Sequence, residues 1–366
     1  MWTRRRFLIS GLAAGGTGLA CAAGWRFRPA DGELATHTST AFGTQVAITV
    51  AHRNRAAAER AVAAAWDELR LVDDLMSLYR PDSPLCRLNR TGRLDAPHPY
   101  LVQALTAAAA MSRRSDGAFD ATVQPLWELC AAARRAGATP EPAEIEAVRG
   151  RVDWRRVEVS PQQIALAGRG TAVTLNGIAQ GFAADRVAEA LRRQGVAHAL
   201  VDAGELAALG AKPDGQPWQV GVQHPRAPGA FLALAQLDGR CLSTSGDYAT
   251  RFSDDCRDHH IFDPRTGRSP DGLSSVTVAA ATATAADALS TAAMVLGPGR
   301  GLALVRATPG ADALLVLKDG RTLATAGFPW WPSNSASPLP QAGEGQGVRA
   351  ACDESRNHCW TAPWQG

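Results

Sequence analysis

A chain of 366 residues with 46% hydrophobic and 20% charged residues can bury one large or two medium cores, which excludes disorder as its default state. The net charge of +3 is small, and arginine carries nearly all of the basic character, with Lys212 and Lys318 the only lysines. With no basic stripe interleaved with aromatics and no zinc-type pairing of cysteines, nucleic-acid binding has no support.

The N-terminus reads as a targeting segment. Thr3-Arg4-Arg5-Arg6-Phe7-Leu8 leads into an apolar Gly- and Ala-rich run ending near Ala20-Cys21-Ala22, the pattern of a twin-arginine export signal with a peptidase site. That run is too short and too rich in small residues for a comfortable membrane span. Residues 1–23 are therefore set apart from the fold, and a periplasmic location is expected. Lipidation at Cys21 is the competing reading, weakened by Gly18 where a lipobox prefers leucine. Cys86, Cys130, Cys241, Cys256, Cys352 and Cys359 remain after processing, at spacings that match no disulfide framework.

Alternating apolar residues from Thr40 to Val50 predict a strand with Gly43-Thr44 inside it, which suggests a bulge or a close ligand. Val62, Trp66, Leu69, Val72, Leu75 and Met76 recur at helical spacing over 55–78, and a second helix is expected over 100–114. The turn-rich Tyr79-Arg80-Pro81-Asp82-Ser83-Pro84 lies between them. Asp116 to Thr122 forms a loop with two acids and a hydroxyl, followed by a surface helix or excursion over 137–149. Residues 171–175 read as a strand that runs through Asn176-Gly177 into a helix, a junction that exposes unpaired backbone N–H groups and suits phosphate.

Further on, 198–209 reads as one buried strand containing Gly204, with 218–222 and 231–237 as an antiparallel pair. Cys241 to Tyr248 is a polar, hydroxyl-rich turn. A strand over 275–281, a helix over 285–296 and a last strand over 313–318 follow. Strands and helices mix without strict alternation, which favours an α+β fold with mixed sheets flanked by helices over a doubly wound one. The domain is placed at 34–328, with 330–366 a Pro/Ser/Gly-rich disordered tail.

The densest chemistry lies in His259-His260-Ile261-Phe262-Asp263-Pro264-Arg265-Thr266-Gly267 and in Asp287 with Thr291. An imidazole beside an Asp-Pro turn can hold a proton near neutral pH, while Asp287 and Thr291, four apart on a helix, share one face and offer two oxygen ligands to a hard cation.

Taken in order, Phe42-Gly43-Thr44, Leu75 to Tyr79 with Asp82-Ser83 and Asn89, Gly117 to Thr122, Asn176 to Gly181, Thr244 to Tyr248, His260 to Gly267 and Ala286-Asp287 through Thr291 resemble the ApbE family of FAD:protein FMN transferases across about residues 40–320. The resemblance implies a two-lobed α+β enzyme that binds FAD in a cleft and, with Mg2+, moves FMN onto a threonine or serine hydroxyl of another protein, releasing AMP. It implies magnesium ligands in Asp287, Thr291 and the carbonyl near Gly177. His260 would be the base, with Asp287 able to assist deprotonation. Phe42, Tyr79, Ala118, Phe119, Asp120, Thr174, Gln180 and Ile261 would line the FAD site, Tyr79 by stacking and Asp120 by accepting from a nucleoside or flavin edge.

Four positions depart from the family pattern. Phe42 replaces a common methionine, Gln180 a lysine and Thr174 an aspartate, and Ser290 stands where some members place a second acidic ligand, so affinity and metal count are where this chain should differ. The implied partners are exported FMN-binding acceptor proteins, including Rnf- or Nqr-type subunits and related FMN-binding domains, together with a membrane-surface association. A magnesium-dependent FAD pyrophosphatase and a non-catalytic periplasmic FAD-binding protein are the rival readings.

Overall fold

The computed structural model describes residues 33–331, so the segment read as an export signal, Cys21 and the residues beyond Trp331 lie outside it. The first two strands, β1 (Glu33–Ala41) and β2 (Thr44–His52), make a hairpin closed by Ala41 opposite Thr44. Its two turn residues, Phe42 and Gly43, both have positive φ (50° and 69°), the requirement of the tight turn whose twist matches paired strands. Gly43 is thus a turn residue and not a bulge inside a strand.

Helix α1 (Arg55–Met76) starts where the Asn54 side chain accepts the Ala57 N–H at 3.0 Å, and buries Val62, Leu69, Val72 and Met76 along one face. Short α2 (Pro84–Thr91) and α3 (Pro99–Arg114) follow, both with proline in the first turn. Beyond the 115–123 loop, α4 (Gln124–Arg135) and α5 (Pro142–Arg149) form an outlying pair. A three-stranded sheet, ordered β3 (Arg93–Asp95), β5 (Gln163–Leu166), β4 (Val157–Val159), packs against α2 and α3.

Residues 171–175 are extended but belong to no ladder. The Asn89 side chain takes the place of a neighbouring strand there, accepting the Val173 N–H and donating to the Val173 carbonyl, both at 2.8 Å. Helix α6 (Ala179–Arg193) then leads to β6 (His198–Asp202) and β7 (Leu206–Leu209), a hairpin turned at Gly204 and not one strand. A separate ribbon is formed by β8 (Trp218–Gln223) and β9 (Phe231–Leu237). The polar segment expected as a turn is a strand, β10 (Cys241–Gly246), paired along its length with β11 (Leu273–Ala280). Helix α7 (Ala283–Arg306) breaks at Gly297-Pro298, and β12 (Asp312–Leu317) and β13 (Thr322–Ala324) close the sheet.

The main sheet runs β1-β2-β6-β7-β10-β11-β12-β13, and every described ladder is antiparallel. The α+β class expected is the one found. Strand alternation assigns the two faces: Val201, Val276, Val278 and Leu315 join the core beneath α1, α6 and α7, while Leu200, Leu242, Ala279 and Leu314 pack under the β8–β9 ribbon with Trp218 and Phe328. The fold also runs past its expected edge at residue 328. Trp330 bridges to Ala235, and the Trp331 N–H reaches the Leu234 carbonyl at 2.9 Å.

Candidate active site

One cavity of about 220 Å³ gathers all twelve residues singled out from the sequence: Phe42, Tyr79, Ala118, Phe119, Asp120, Thr174, Gly177, Gln180, His260, Ile261, Asp287 and Thr291. Eight separate stretches of chain meet there. The physical question is what holds each in place.

Asp287 and Thr291 sit one turn apart near the start of α7. Asp185 of α6 fixes that start by accepting the Ala283 and Thr284 N–H groups at 2.8 and 2.9 Å, an anion at a helix N-terminus. One turn on, Asp287 Oδ2 accepts the Gly181 N–H of α6 at 3.0 Å. Thr291 Oγ1 lies 3.1 Å from Ser245 Oγ of β10, which in turn lies 2.7 Å from Ser290 Oγ. Ser290, at the place of a second acid, is therefore built into a hydroxyl network and donates to the Asp287 carbonyl at 2.9 Å.

Asp120 is buried and already engaged. Its Oδ1 accepts both the N–H and the hydroxyl of Thr122 (2.7 and 2.6 Å), and Oδ2 accepts the Trp154 N–H at 2.9 Å. With three of its roughly four acceptor positions used, it serves mainly to fix the 116–122 loop and has one position for a ligand. Burial pushes its carboxyl above the usual range, against the pull of those donors. The same loop is tied to the segment before α6 by the Thr174 N–H, which donates to the Ala121 carbonyl at 2.7 Å. Tyr79 is 65% exposed, so it does not close the core beneath the Pro81 turn but offers a ring at the cavity mouth.

The two adjacent histidines divide cleanly. His259 is fully buried, its Nε2 3.1 Å from the Pro270 carbonyl and its backbone bonded to Ser269, and burial lowers its pKa to about 4. It is a structural group. Because the unfolded chain takes up this proton near pH 6.5 and the fold resists it until about 4, the contribution is intact above 6.5 and lost as pH falls between those values, on the order of 3 kcal/mol. Chemical denaturation at pH 7 and pH 4.5 should show this slope, and it should flatten in His259→Asn; equal slopes in both proteins would place the acid sensitivity elsewhere.

His260 places Nδ1 3.1 Å from the Thr250 carbonyl, which also accepts its backbone N–H at 3.1 Å. A carbonyl only accepts, so Nδ1 carries the proton and Nε2 the lone pair. The Asp263-Pro264 turn does not depend on it, since Asp263 is held by Arg265 at 2.8 and 2.7 Å.

Two contributors were missed. Glu205, buried in the β6–β7 turn, lines the cavity and accepts the Thr244 N–H at 3.2 Å. Asp73, buried on α1, accepts the Phe42 N–H at 2.9 Å and Arg80 Nε at 2.8 Å, so one carboxylate sets two walls. The signal for Asp73 was available, because it falls on the apolar face of α1 beside Leu69, Val72 and Met76, where an unpaired charge is costly.

A family model described as "ApbE family" matches residues 42–315. The FAD:protein FMN transferase of Salmonella typhimurium is 34% identical over 278 residues, covering 71% of this chain and 76% of its own length. That of Treponema pallidum is 34% identical over 312 residues, covering 78% and 85%. The solved structure of the flavin transferase ApbE from Vibrio cholerae superposes with a TM-score of 0.71 at 27% identity, over 81% of this chain and 98% of that one. With three-quarters of the chain matched by the family model and the overall fold shared with a solved member, the chain belongs to the ApbE family.

Proposed function

We propose that this chain is an FAD:protein FMN transferase that acts, with magnesium, on threonine or serine hydroxyls of exported proteins and releases AMP. The charge of the cavity carries this reading. Asp120, Glu205 and Asp287 line it and, among the described residues, no arginine or lysine does. The pyrophosphate of FAD would meet a wall of carboxylates, and a divalent cation that came with it would offset their repulsion.

The residues fit such a cation. Asp287 supplies a carboxylate, Thr291 a hydroxyl, and Gly177 a carbonyl in a close-fitting cradle, since a Cβ there would lie 3.1 Å from Thr291 Oγ1 and 3.2 Å from Phe119 Cε2 and press on both. The described residues hold no group of three His, Cys, Asp or Glu side chains for a metal, which suits magnesium, an ion that keeps waters and takes phosphate oxygens as ligands. When bound, it would neutralise charge on the bridging phosphates.

His260 acts as the base. Its Nε2 takes the proton of the acceptor hydroxyl as that oxygen bonds to the phosphorus on the riboflavin side. The bond from that phosphorus to the bridging oxygen breaks, and AMP leaves with the electron pair. Tyr79 stacks on an aromatic ring of FAD. Tyr79→Ala should weaken flavin binding by about tenfold and leave Tm unchanged, because the ring contributes little to the core; a fluorescence titration that shows unchanged affinity would remove the stacking role.

The acceptors are exported FMN-binding domains such as Rnf- or Nqr-type subunits, which the twin-arginine segment would bring this chain to meet. Incubating the mature protein with FAD, magnesium and such a domain should give flavin fluorescence on the denatured acceptor and free AMP. AMP and FMN with a dark acceptor would mean hydrolysis, and intact FAD would mean a carrier.

A further inference from the structure

The base and the metal-facing residues stand on different kinds of structure. Asp287 and Thr291 are on a buried helix, whereas His260 lies in a long excursion, residues 247–272, that leaves the sheet after β10, rejoins it at β11 and carries an internal bridge between Arg251 and His259. The orientation of His260 depends on Thr250, at the near side of that excursion. Its far side contains Cys256, buried and held at φ 60°, a left-handed conformation that a non-glycine residue keeps only when its surroundings over-determine it.

We propose that Lys318 is a positioning residue for His260, its ammonium clasping the start and the tip of this excursion to the sheet. The side chain projects from the end of β12. Its Nζ donates to Asp247 Oδ2 at 2.6 Å, directly after β10, and to the Cys256 carbonyl at 2.9 Å. Asp247 is fully buried and fixed from three sides. Arg226 grips both its oxygens (2.7 and 2.6 Å) and reaches Ser274 Oγ at 2.9 Å, and the Asp247 N–H donates to the Ser274 carbonyl at 3.0 Å. One lysine therefore transmits the rigidity of this buried ion pair to the otherwise strandless tip. Arg134 also holds the tip, through the Phe252 carbonyl and Asp254, as a half-exposed arginine of lesser weight, and within the excursion His259 is bonded to Ser269 and Pro270. Charge alone does not require Lys318, because the bidentate arginine already balances Asp247.

This inference rests on His260 being the base, and it is tested in the full chain with Lys318→Met and Lys318→Arg. Methionine keeps the apolar stem and leaves Asp247 paired with Arg226, so the fold survives. Amide hydrogen exchange over residues 249–260 should quicken by at least about tenfold in Lys318→Met, while β10 and β11 stay protected. With FAD, magnesium and acceptor, kcat should fall about tenfold and KM for FAD stay within about twofold, since the base and not the flavin site is loosened. Arginine, which keeps the donors, should restore most of both. Unchanged exchange in the excursion overturns the clasp, as does faster exchange everywhere with a lower Tm, or a rise in KM without loss of kcat. If the unmodified protein transfers no FMN, the catalytic reading fails while the exchange result still decides whether Lys318 clasps the excursion.

Discussion

Asp287→Asn is expected to lose FMN transfer by about 10³-fold and to keep its fold. The amide oxygen can still accept the Gly181 N–H now held at 3.0 Å, so the seam between α6 and α7 survives and only the negative charge is removed. Asp287→Ala is the harsher test, because it also leaves a buried N–H without a partner, at about 1–3 kcal/mol. AMP release at saturating FAD and magnesium measures the first effect, and thermal melting separates it from the second. Because the asparagine protein should still take up flavin, a lost signal in the transfer assay with retained binding would place Asp287 in the chemistry. Retention of even a tenth of the rate would take it out.

The largest structural effect is expected from one added methyl group. In Gly181→Ala the new Cβ would fall 2.3 Å from the Ala283 carbonyl oxygen, 2.6 Å from its carbon and 2.8 Å from Asp287 Cβ. Two of these are backbone atoms at the capped start of α7, with no flexible end to swing away. The helices must separate, at a cost of ~3 kcal/mol or more, and Tm should drop by roughly 10 °C. Since Asp287 rides on the displaced helix and loses its Gly181 partner, transfer should fall with stability. A variant that melts like the parent would show that the seam has slack the distances do not suggest.

Much of this architecture was legible in the residues, and the failures share a cause. Helices α1, α3 and α6 announced themselves because their apolar residues recur at helical spacing opposite a charged, solvated face. Strand β10 was hidden because Ser243, Thr244 and Ser245 look like a solvated turn, yet the sheet partner Thr277 and the helix residues Ser290 and Thr291 meet their hydroxyls. Residues 171–175 were read as a strand for the opposite reason. Their pattern is apolar and extended, but the ladder partner is a single side chain, Asn89. The twelve cavity residues were legible through motifs in order, and Asp73 was marked by its place on the apolar face of α1, whereas Glu205 was not, because a buried acid in a turn is recognised only when its donors on distant segments are known.

The cavity walls come from stretches as far apart as Phe42 and Thr291, and no two neighbouring elements supply more than a fraction of them. A molecule that settles there engages both ends of the main sheet's sequence at once, from the first hairpin to α7, and so adds to the cooperativity with which those elements hold together.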